Sequence, residues 1–172
     1  MQNLEEYFVR RIGNFVIRPA TYKDISKVIS INWETLPEHY DNSFFDELMR
    51  DSPETFLVAE DGNEVIGYIM CRLEYGFTMI KRFGLAKKGH IVSVAVIESY
   101  RKKGIGIALV EEVMKMMRVK GCSETYLEVR MTNEPAVKLY EKLGFIKSSK
   151  IEKYYRDGEA ALLMSFHLTS GA

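Results

Sequence analysis

The clearest chemical signal in the sequence is a short basic turn that contains glycine, Arg101-Lys102-Lys103-Gly104-Ile105-Gly106. An apolar segment precedes it and an amphipathic segment follows it. The first turn of a helix presents backbone N–H groups without intrahelical partners and a partial positive charge. Glycine lets an anion approach such a backbone, and the three cations add attraction. The turn therefore indicates a phosphate or pyrophosphate site, with a solvated basic turn as the alternative.

The turn does not match the common nucleotide motifs. It lacks the GxxxxGK[ST] pattern of a P-loop, and Leu109 stands where GxGxxG requires its third glycine. The residues alone leave the phosphate ligand open.

Hydrophobic periodicity predicts the elements that position this turn. The predicted class is α/β, with a mixed, largely antiparallel sheet of about seven strands flanked by about four helices. Residues 91–97 are expected to form a central strand buried on both faces, and residues 75–89 a loop. The predicted strands are 15–19, 55–60, 65–74, 91–97, 125–130, 146–155 and 160–168, and the helices are 25–36, 43–50, 105–120 and 133–143.

Local residues predict the helix boundaries. Thr21 and Asp24 resemble a capping box before the first helix, whose apolar stripe should include Ile25, Val28 and Trp33. Asn133 is a good N-cap for the last helix.

Length and composition predict a single domain over residues 1–172. The chain has 172 residues, of which 47% are hydrophobic and 28% charged, which excludes a disordered chain, a collagen and a coiled coil. No apolar run is long enough to span a membrane, and residues 1–6 lack a signal pattern, so we expect no membrane association and no export. Two cysteines and three histidines without metal-ligand spacing predict neither a disulfide framework nor a metal site.

The charge is balanced overall and uneven along the chain. Residues 1–80 hold 7 Lys/Arg against 14 Asp/Glu, and residues 81–172 hold 17 against 10. A basic second half suits an anionic partner, whereas the neutral total disfavours a dedicated nucleic-acid protein, so no direct DNA partner is expected.

The RxxGxG turn after an apolar strand resembles the pyrophosphate loop of the GNAT acetyltransferases, which bind acetyl-CoA. The resemblance covers roughly residues 15–168 and is most specific for the N-terminal acetyltransferase branch. Within it, the chain most resembles archaeal members related to the NatA catalytic subunit and to the ribosomal-protein alanine acetyltransferases. The segments that carry the resemblance are residues 36–40, 72–77, 89–96, 126–130, 133–141 and 154–159.

The resemblance implies a binding site for acetyl-CoA beside a gap in the central sheet. The backbone of Val94, Ala95 and Val96 would pair with pantetheine, and Asn133 and Tyr140 would lie near the reactive end. The pyrophosphate would be held by Arg101, Lys102, Lys103, Gly104, Ile105, Gly106 and Ile107.

The resemblance also implies direct attack of an α-amine on the thioester in a ternary complex. A peptide α-amine has a reference pKa of about 7.7–8.0 and must lose a proton. Glu128 stands at the family's position for the base, and His90 is the second candidate. Tyr140 is the candidate acid for the departing thiolate. The alternatives are a solvent-facing Glu128, a structural His90 and a Tyr140 that packs in the core.

Two further segments resemble the peptide-binding walls of this branch. Leu36, Pro37, Glu38 and Tyr40 would form one wall, and Tyr154 and Tyr155 the other. Such walls would admit an extended protein or peptide N-terminus and exclude a lysine side chain.

Several alternatives stay open. The enzyme could serve one ribosomal protein, acetylate small amines or lysines, or be a non-catalytic CoA-binding module. An auxiliary subunit or the ribosome could dock on Lys81, Arg82, Lys87 and Lys88, which otherwise belong to a solvated loop. Dependence on acetyl-CoA indicates the cytoplasm.

Overall fold

The computed structural model describes residues 10–168, and within them the chain forms eight strands and four α-helices. The strands are β1 (Arg10–Ile12), β2 (Phe15–Pro19), β3 (Phe56–Asp61), β4 (Glu64–Phe77), β5 (Leu85–Val96), β6 (Glu124–Arg130), β7 (Ile146–Ile151) and β8 (Ala161–His167). The helices are α1 (Ile25–Thr35), α2 (Asn42–Asp51), α3 (Ile105–Val119) and α4 (Glu134–Lys142).

The strand order in the sheet is β1-β2-β3-β4-β5-β6-β8-β7. β5 and β6 pair in parallel, whereas β1–β2, β2–β3, β3–β4, β6–β8 and β7–β8 pair antiparallel. The predicted mixed, largely antiparallel α/β class is confirmed. The prediction missed β1, and the expectation based on residues 1–6 lies outside the described residues.

The chain divides into two compact units. The first contains the described residues through Arg72 together with Ser93–Met116, and the second contains Leu73–Val92 and the described residues from Met117 onward. β4 and β5 each contribute to both units. The single-domain organisation stays a prediction.

In the first unit, apolar faces of three helices and the early strands are buried. Phe45 of α2, Phe56 of β3 and Leu109 of α3 are inaccessible to solvent. The stripe predicted for α1 is only partly right. Ile25 and Val28 are buried, but the Trp33 side chain is 59% exposed and stacks on His39, with the ring centroids 3.9 Å apart.

The start of α1 is held by a buried carboxylate. Asp24 accepts a 2.7 Å hydrogen bond from the backbone N–H of Thr21, as the predicted capping box requires, and two from Arg18 at 2.8 and 3.0 Å. Burial raises the pKa of the Asp24 carboxyl, but the bonds from Arg18 and Thr21 outweigh it, and the pKa lies below its ordinary value of 3.8.

In the second unit, α4 packs beside the β6–β8–β7 ladder. Leu127 and Met164 are buried, as are Tyr140 and Phe145. Glu124 at the start of β6 is also buried, and its carboxylate accepts hydrogen bonds from the backbone N–H of Met79, at 2.8 Å, and from the Thr78 hydroxyl. A buried carboxyl group therefore anchors the turn between β4 and β5 within this unit.

Three sequence-based assignments are wrong. Most of residues 75–89, predicted as a loop, is strand, because β4 continues to Phe77 and β5 begins at Leu85. β5 is not buried on both faces: buried residues alternate with half-buried ones along it. Residues 152–155 are outside β7, which ends at Ile151, so Tyr154 and Tyr155 lie in a loop.

Both cysteines are buried, and burial raises the pKa of the Cys122 thiol. Among the described helices, none has the length and apolar character needed to cross a membrane.

We expect Asp24→Asn to lower the free energy of unfolding by about 1–2 kcal/mol at neutral pH, because the variant loses the charged acceptor that Arg18 and Thr21 share. Since the folded-state pKa is lowered, this stabilisation is complete above the unfolded-state pKa of about 3.9 and is lost as the pH falls through the folded-state value. Urea unfolding at pH 7 and at a series of acidic pH values measures both effects.

The control is Asp51→Asn, which removes an exposed ion pair with Arg50 and should change stability by less than about 0.5 kcal/mol. Equal stability of wild type and Asp24→Asn at pH 7 would contradict the prediction.

Candidate active site

In the first unit, the turn before α3 has the backbone shape of an anion-binding loop. Lys102 and Gly104 have φ angles of +61° and +82°, in the left-handed region, and residues 101–104 are exposed. The Gly104 carbonyl accepts the first α3 hydrogen bond, 3.1 Å from the Ala108 nitrogen. The N–H groups that begin the helix therefore lack intrahelical acceptors. Alternating left-handed residues beside such a helix start form a concave donor surface.

Two cations of this turn are held by neighbouring residues. Arg101 Nε donates to the backbone carbonyl of Val96, at 3.0 Å, and so ties the turn to the end of β5. Lys103 Nζ lies 5.2 Å from the centroid of the Tyr100 ring. A phosphate group fits this donor set.

The β5 backbone at the predicted cofactor positions packs closely on β4. A Cβ atom added at Gly67 would lie only 3.0 Å from the carbonyl oxygen of Ala95. Val94 and Val96 are half-buried, whereas Ala95 is buried. The face of β5 that carries Val94 and Val96 is therefore the more accessible one.

In the second unit, the two candidate bases form a direct pair. His90 Nε2 and Glu128 Oε2 are 2.7 Å apart, and both side chains are more than four-fifths buried. An ionised carboxylate only accepts hydrogen bonds, so the facing imidazole nitrogen carries a proton. In a neutral imidazole, Nδ1 then holds the free lone pair. Glu128 can thus fix which ring nitrogen of His90 carries the proton, or His90 can orient the Glu128 carboxylate by donating a hydrogen bond to it.

A third residue, Tyr126, packs against this pair. Tyr126 stacks on His90 with the centroids 4.4 Å apart and the planes 5° from parallel. The Tyr126 hydroxyl donates to the Glu74 carboxylate, and Lys88 Nζ lies 5.3 Å from the ring centroid. Sequence reasoning assigned no role to Tyr126 or Glu74. Tyr126 could have been found, because it stands two residues before Glu128 and so shares its face of the strand.

The structure gives Tyr140 and Asn133 clear places in the fold. Tyr140 is buried, and its ring contacts Phe145 edge-on at 5.6 Å. Asn133 caps α4, its side chain accepting from the Ala136 backbone at 3.3 Å. The predicted roles of both residues near the cofactor stay predictions.

The first predicted substrate segment, residues 36–40, connects α1 and α2 in the first unit. Tyr40 packs against Phe44, with the ring centroids 5.0 Å apart. The backbone carbonyl of Glu38 accepts a 3.1 Å hydrogen bond from Asn32, which is buried in α1. Leu36 and Glu38 are half-buried and Pro37 is exposed.

The second predicted substrate segment, residues 154–159, is held by Arg130 in the second unit. The Arg130 guanidinium donates to Asp157 at 2.7 Å and to Glu159 at 2.8 Å, and it lies 4.1 Å from the centroid of the Tyr155 ring. The Thr132 hydroxyl and backbone N–H, followed by Arg130, lower the pKa of the Glu159 carboxyl. Within this segment, Tyr154 meets Tyr155 at 84° between ring planes.

The described residues contain no cluster of three or more His, Cys, Asp or Glu side chains that could hold a metal ion. The arrangement in the second unit pairs a carboxyl group with an imidazole, two groups that can give and take a proton.

The chain is similar to a known family and to known proteins. The model of the acetyltransferase (GNAT) family matches residues 20–145. An N-alpha-acetyltransferase of Sulfurisphaera tokodaii is 48% identical over 151 residues, which cover 87% of this chain and 90% of the relative.

Two solved structures extend the likeness. Ard1 from Thermoplasma volcanium matches with a TM-score of 0.78 at 28% identity and covers 90% of this chain and 97% of that chain. A NatC complex bound to Gag peptide and CoA matches with a TM-score of 0.81 at 26% identity, over 91% of this chain and 99% of that chain.

Proposed function

The chain belongs to the GNAT family of acetyltransferases, as its sequence predicted, and we propose that it transfers the acetyl group of acetyl-CoA to the α-amine of protein N-termini. The 48% identity to a curated N-alpha-acetyltransferase, over 90% of that relative's length, carries the proposal. The family match at residues 20–145 runs through both units, which supports a single GNAT domain.

The turn before α3 is the proposed site for the pyrophosphate of acetyl-CoA. Its left-handed residues Lys102 and Gly104, the N–H groups of Ile105 to Ile107 and the cations Arg101 and Lys103 match a dianionic group. The backbone of Val94, Ala95 and Val96 on β5 is the proposed partner of the pantetheine arm.

The pair of His90 and Glu128 is proposed to take the proton of the attacking amine. The thioester supplies an activated acetyl group, so this chain needs no nucleophile of its own and neither cysteine takes part. Because the two side chains are 2.7 Å apart, they can act together: one accepts the proton of the amine, and the other orients the side chain that accepts it. Tyr140 is the proposed acid for the thiolate, and Asn133 is proposed to lie near the reactive end.

The N-terminus of the substrate is proposed to contact Leu36, Pro37, Glu38 and Tyr40 from one segment and Tyr154 and Tyr155 from the other. Both segments are loops that hydrogen bonds to buried or half-buried residues hold in place. Side chains on fixed loops can select an extended backbone.

An auxiliary subunit or a ribosomal surface is proposed to dock on the hairpin of β4 and β5. The hairpin exposes Tyr75, Phe77, Phe83 and Leu85, each more than three-quarters accessible, beside Lys81, Arg82, Lys87 and Lys88. Exposed apolar side chains in a patch, interleaved with cations, are typical of interaction surfaces. Nascent N-termini and acetyl-CoA are both cytoplasmic, and we place the enzyme there.

The test is CoA release by the purified chain with a peptide panel. The panel begins with Ser, Ala, Met-Leu and Met-Glu, and it includes a lysine peptide whose α-amine is acetylated. We expect turnover on free N-termini and none on the blocked peptide. Equal turnover of the blocked peptide would contradict the exclusion of lysine, and binding of acetyl-CoA without any turnover would favour a non-catalytic module.

Glu128→Gln and His90→Ala should each lower kcat, and the double variant should lose about 10²–10³-fold, the usual contribution of general base catalysis. Initial rates across pH, with saturating peptide, measure the loss. The larger single effect identifies the main base. Glu141→Gln, which removes a surface ion pair with Lys147, is the control and should keep wild-type kcat. Unchanged turnover of the double variant across pH would rule out the base role.

Gly104→Ala should weaken acetyl-CoA binding about tenfold, since a φ of +82° costs alanine about 1–2 kcal/mol and the turn must shift to relieve it. Calorimetric titration of acetyl-CoA gives the Kd. Gly62→Ala imposes a similar strain at φ +62° in the β3–β4 turn and, like Gly104, has open space around the new Cβ. An equal Kd for the two variants would contradict the assignment.

A further inference from the structure

We infer that Asn32 is a positioning residue for substrate, holding residues 36–40 through a hydrogen bond to the Glu38 carbonyl. The inference rests on the proposed function and deepens it. All the residues concerned belong to the first unit. The sequence did not indicate a role for Asn32, because a polar residue in an amphipathic helix is expected on the solvent-facing side.

The carboxamide of Asn32 is oriented by its surroundings. Asn32 lies on α1 and is inaccessible to solvent, and its Nδ2 atom is 3.1 Å from both the Glu38 carbonyl oxygen and the Tyr68 hydroxyl. A carbonyl oxygen only accepts, so the amide nitrogen must face Glu38. The two protons on Nδ2 match these two acceptors.

The chain of donors continues to β5. Burial raises the pKa of Tyr68 to about 12, which keeps its hydroxyl protonated. The Tyr68 hydroxyl also forms a hydrogen bond with the Ser93 hydroxyl, with the oxygens 2.8 Å apart, and either of the two can donate. Ser93 immediately precedes Val94, the first of the three β5 residues whose backbone is proposed to pair with pantetheine. One continuous series of buried hydrogen bonds therefore joins the substrate segment to β5.

The carboxamide oxygen of Asn32 makes no comparable contribution to stability. Asn32 Oδ1 is buried and accepts no hydrogen bond from the described residues. An unpaired buried acceptor lowers stability, and an apolar side chain of similar size would avoid that loss. What only the amide can supply here is donation to the Glu38 carbonyl and to the Tyr68 hydroxyl. Its contribution is therefore the position of the segment rather than the stability of the core.

The segment depends on such a contact because it has no regular structure of its own. Residues 36–40 are neither helix nor strand. Leu36, Glu38 and Tyr40 are proposed to meet the substrate, so a shift of this backbone acts on peptide binding. Displacements of about 1 Å at a positioning group are known to cost large factors in rate.

The experiment compares Asn32→Leu, Asn32→Asp and Tyr68→Phe in the full chain. Hydrogen exchange without ligand follows peptides that cover residues 36–41, and steady-state kinetics give separate KM values for peptide and acetyl-CoA. Asn32→Leu should change Tm little, because removal of the unpaired Oδ1 offsets the loss of the two Nδ2 hydrogen bonds. Exchange in the segment and peptide KM should each rise about tenfold, and KM for acetyl-CoA should stay unchanged.

The other two variants sharpen the test. Asn32→Asp is isosteric but turns an acceptor toward the Glu38 carbonyl, so it should raise exchange and peptide KM at least as much. It also provides the second test if Asn32→Leu fails to fold. Tyr68→Phe removes the hydroxyl but keeps the Asn32–Glu38 bond, and its effect on peptide KM should be smaller than that of either Asn32 variant.

Two results would overturn the inference. One is wild-type exchange in residues 36–41 with wild-type peptide KM in both Asn32 variants. The other is a lower Tm with equal increases in both KM values, which indicates a packing role alone. Exchange is measured without substrate, so a wild-type chain that acetylates no peptide defeats the proposed function while the exchange data still decide the role of Asn32.

Discussion

The register of the short parallel pairing between β5 and β6 determines which side chains can meet at His90. Three residue pairs define it, the last being His90 with Tyr126. Because side chains alternate along a strand, Tyr126 and Glu128 share one face, and both contact the His90 ring. If β6 shifted by one residue relative to β5, Thr125 and Leu127 would take the places of Tyr126 and Glu128 beside His90. β8 pairs with β6 along its whole length and so supports that strand from its other edge.

Buried polar atoms, rather than apolar packing alone, fix the loops of this protein. Asp24 holds the chain that enters α1, Asn32 holds the segment between α1 and α2, and Glu124 holds the turn after β4. Each pairs with a backbone group of the loop that it fixes. Hydrogen bonds of this kind specify one position, whereas apolar contacts tolerate small displacements. These loops thus gain order without becoming helices or strands.

Much of the fold could be predicted from the sequence, because helix caps and apolar periodicity are local signals. The capping box at Thr21 and the cap at Asn133 both formed as expected. The missed strand at residues 85–90 has a different cause: its lysines and glycine conceal the alternation, and pairing with β6 supplies the missing stability. Of the candidate site, motif residues such as Glu128 and Gly104 could be identified. Tyr126 could have been inferred from its spacing to Glu128, but Glu74 and Asn32 could not, because their partners are 6 to 52 positions away in sequence.

The buried cysteines have a practical consequence for chemistry that uses thioesters. Each turnover of the proposed reaction releases a free thiol, and reagents that react with thiols attack the thiolate form. Cys71 and Cys122 are shielded from solvent, and burial raises the pKa of Cys122, which makes its thiolate scarce at neutral pH. A chromogenic disulfide reagent added to the folded protein therefore reports product and leaves the polypeptide unmodified, so catalysis can be recorded continuously in one cuvette.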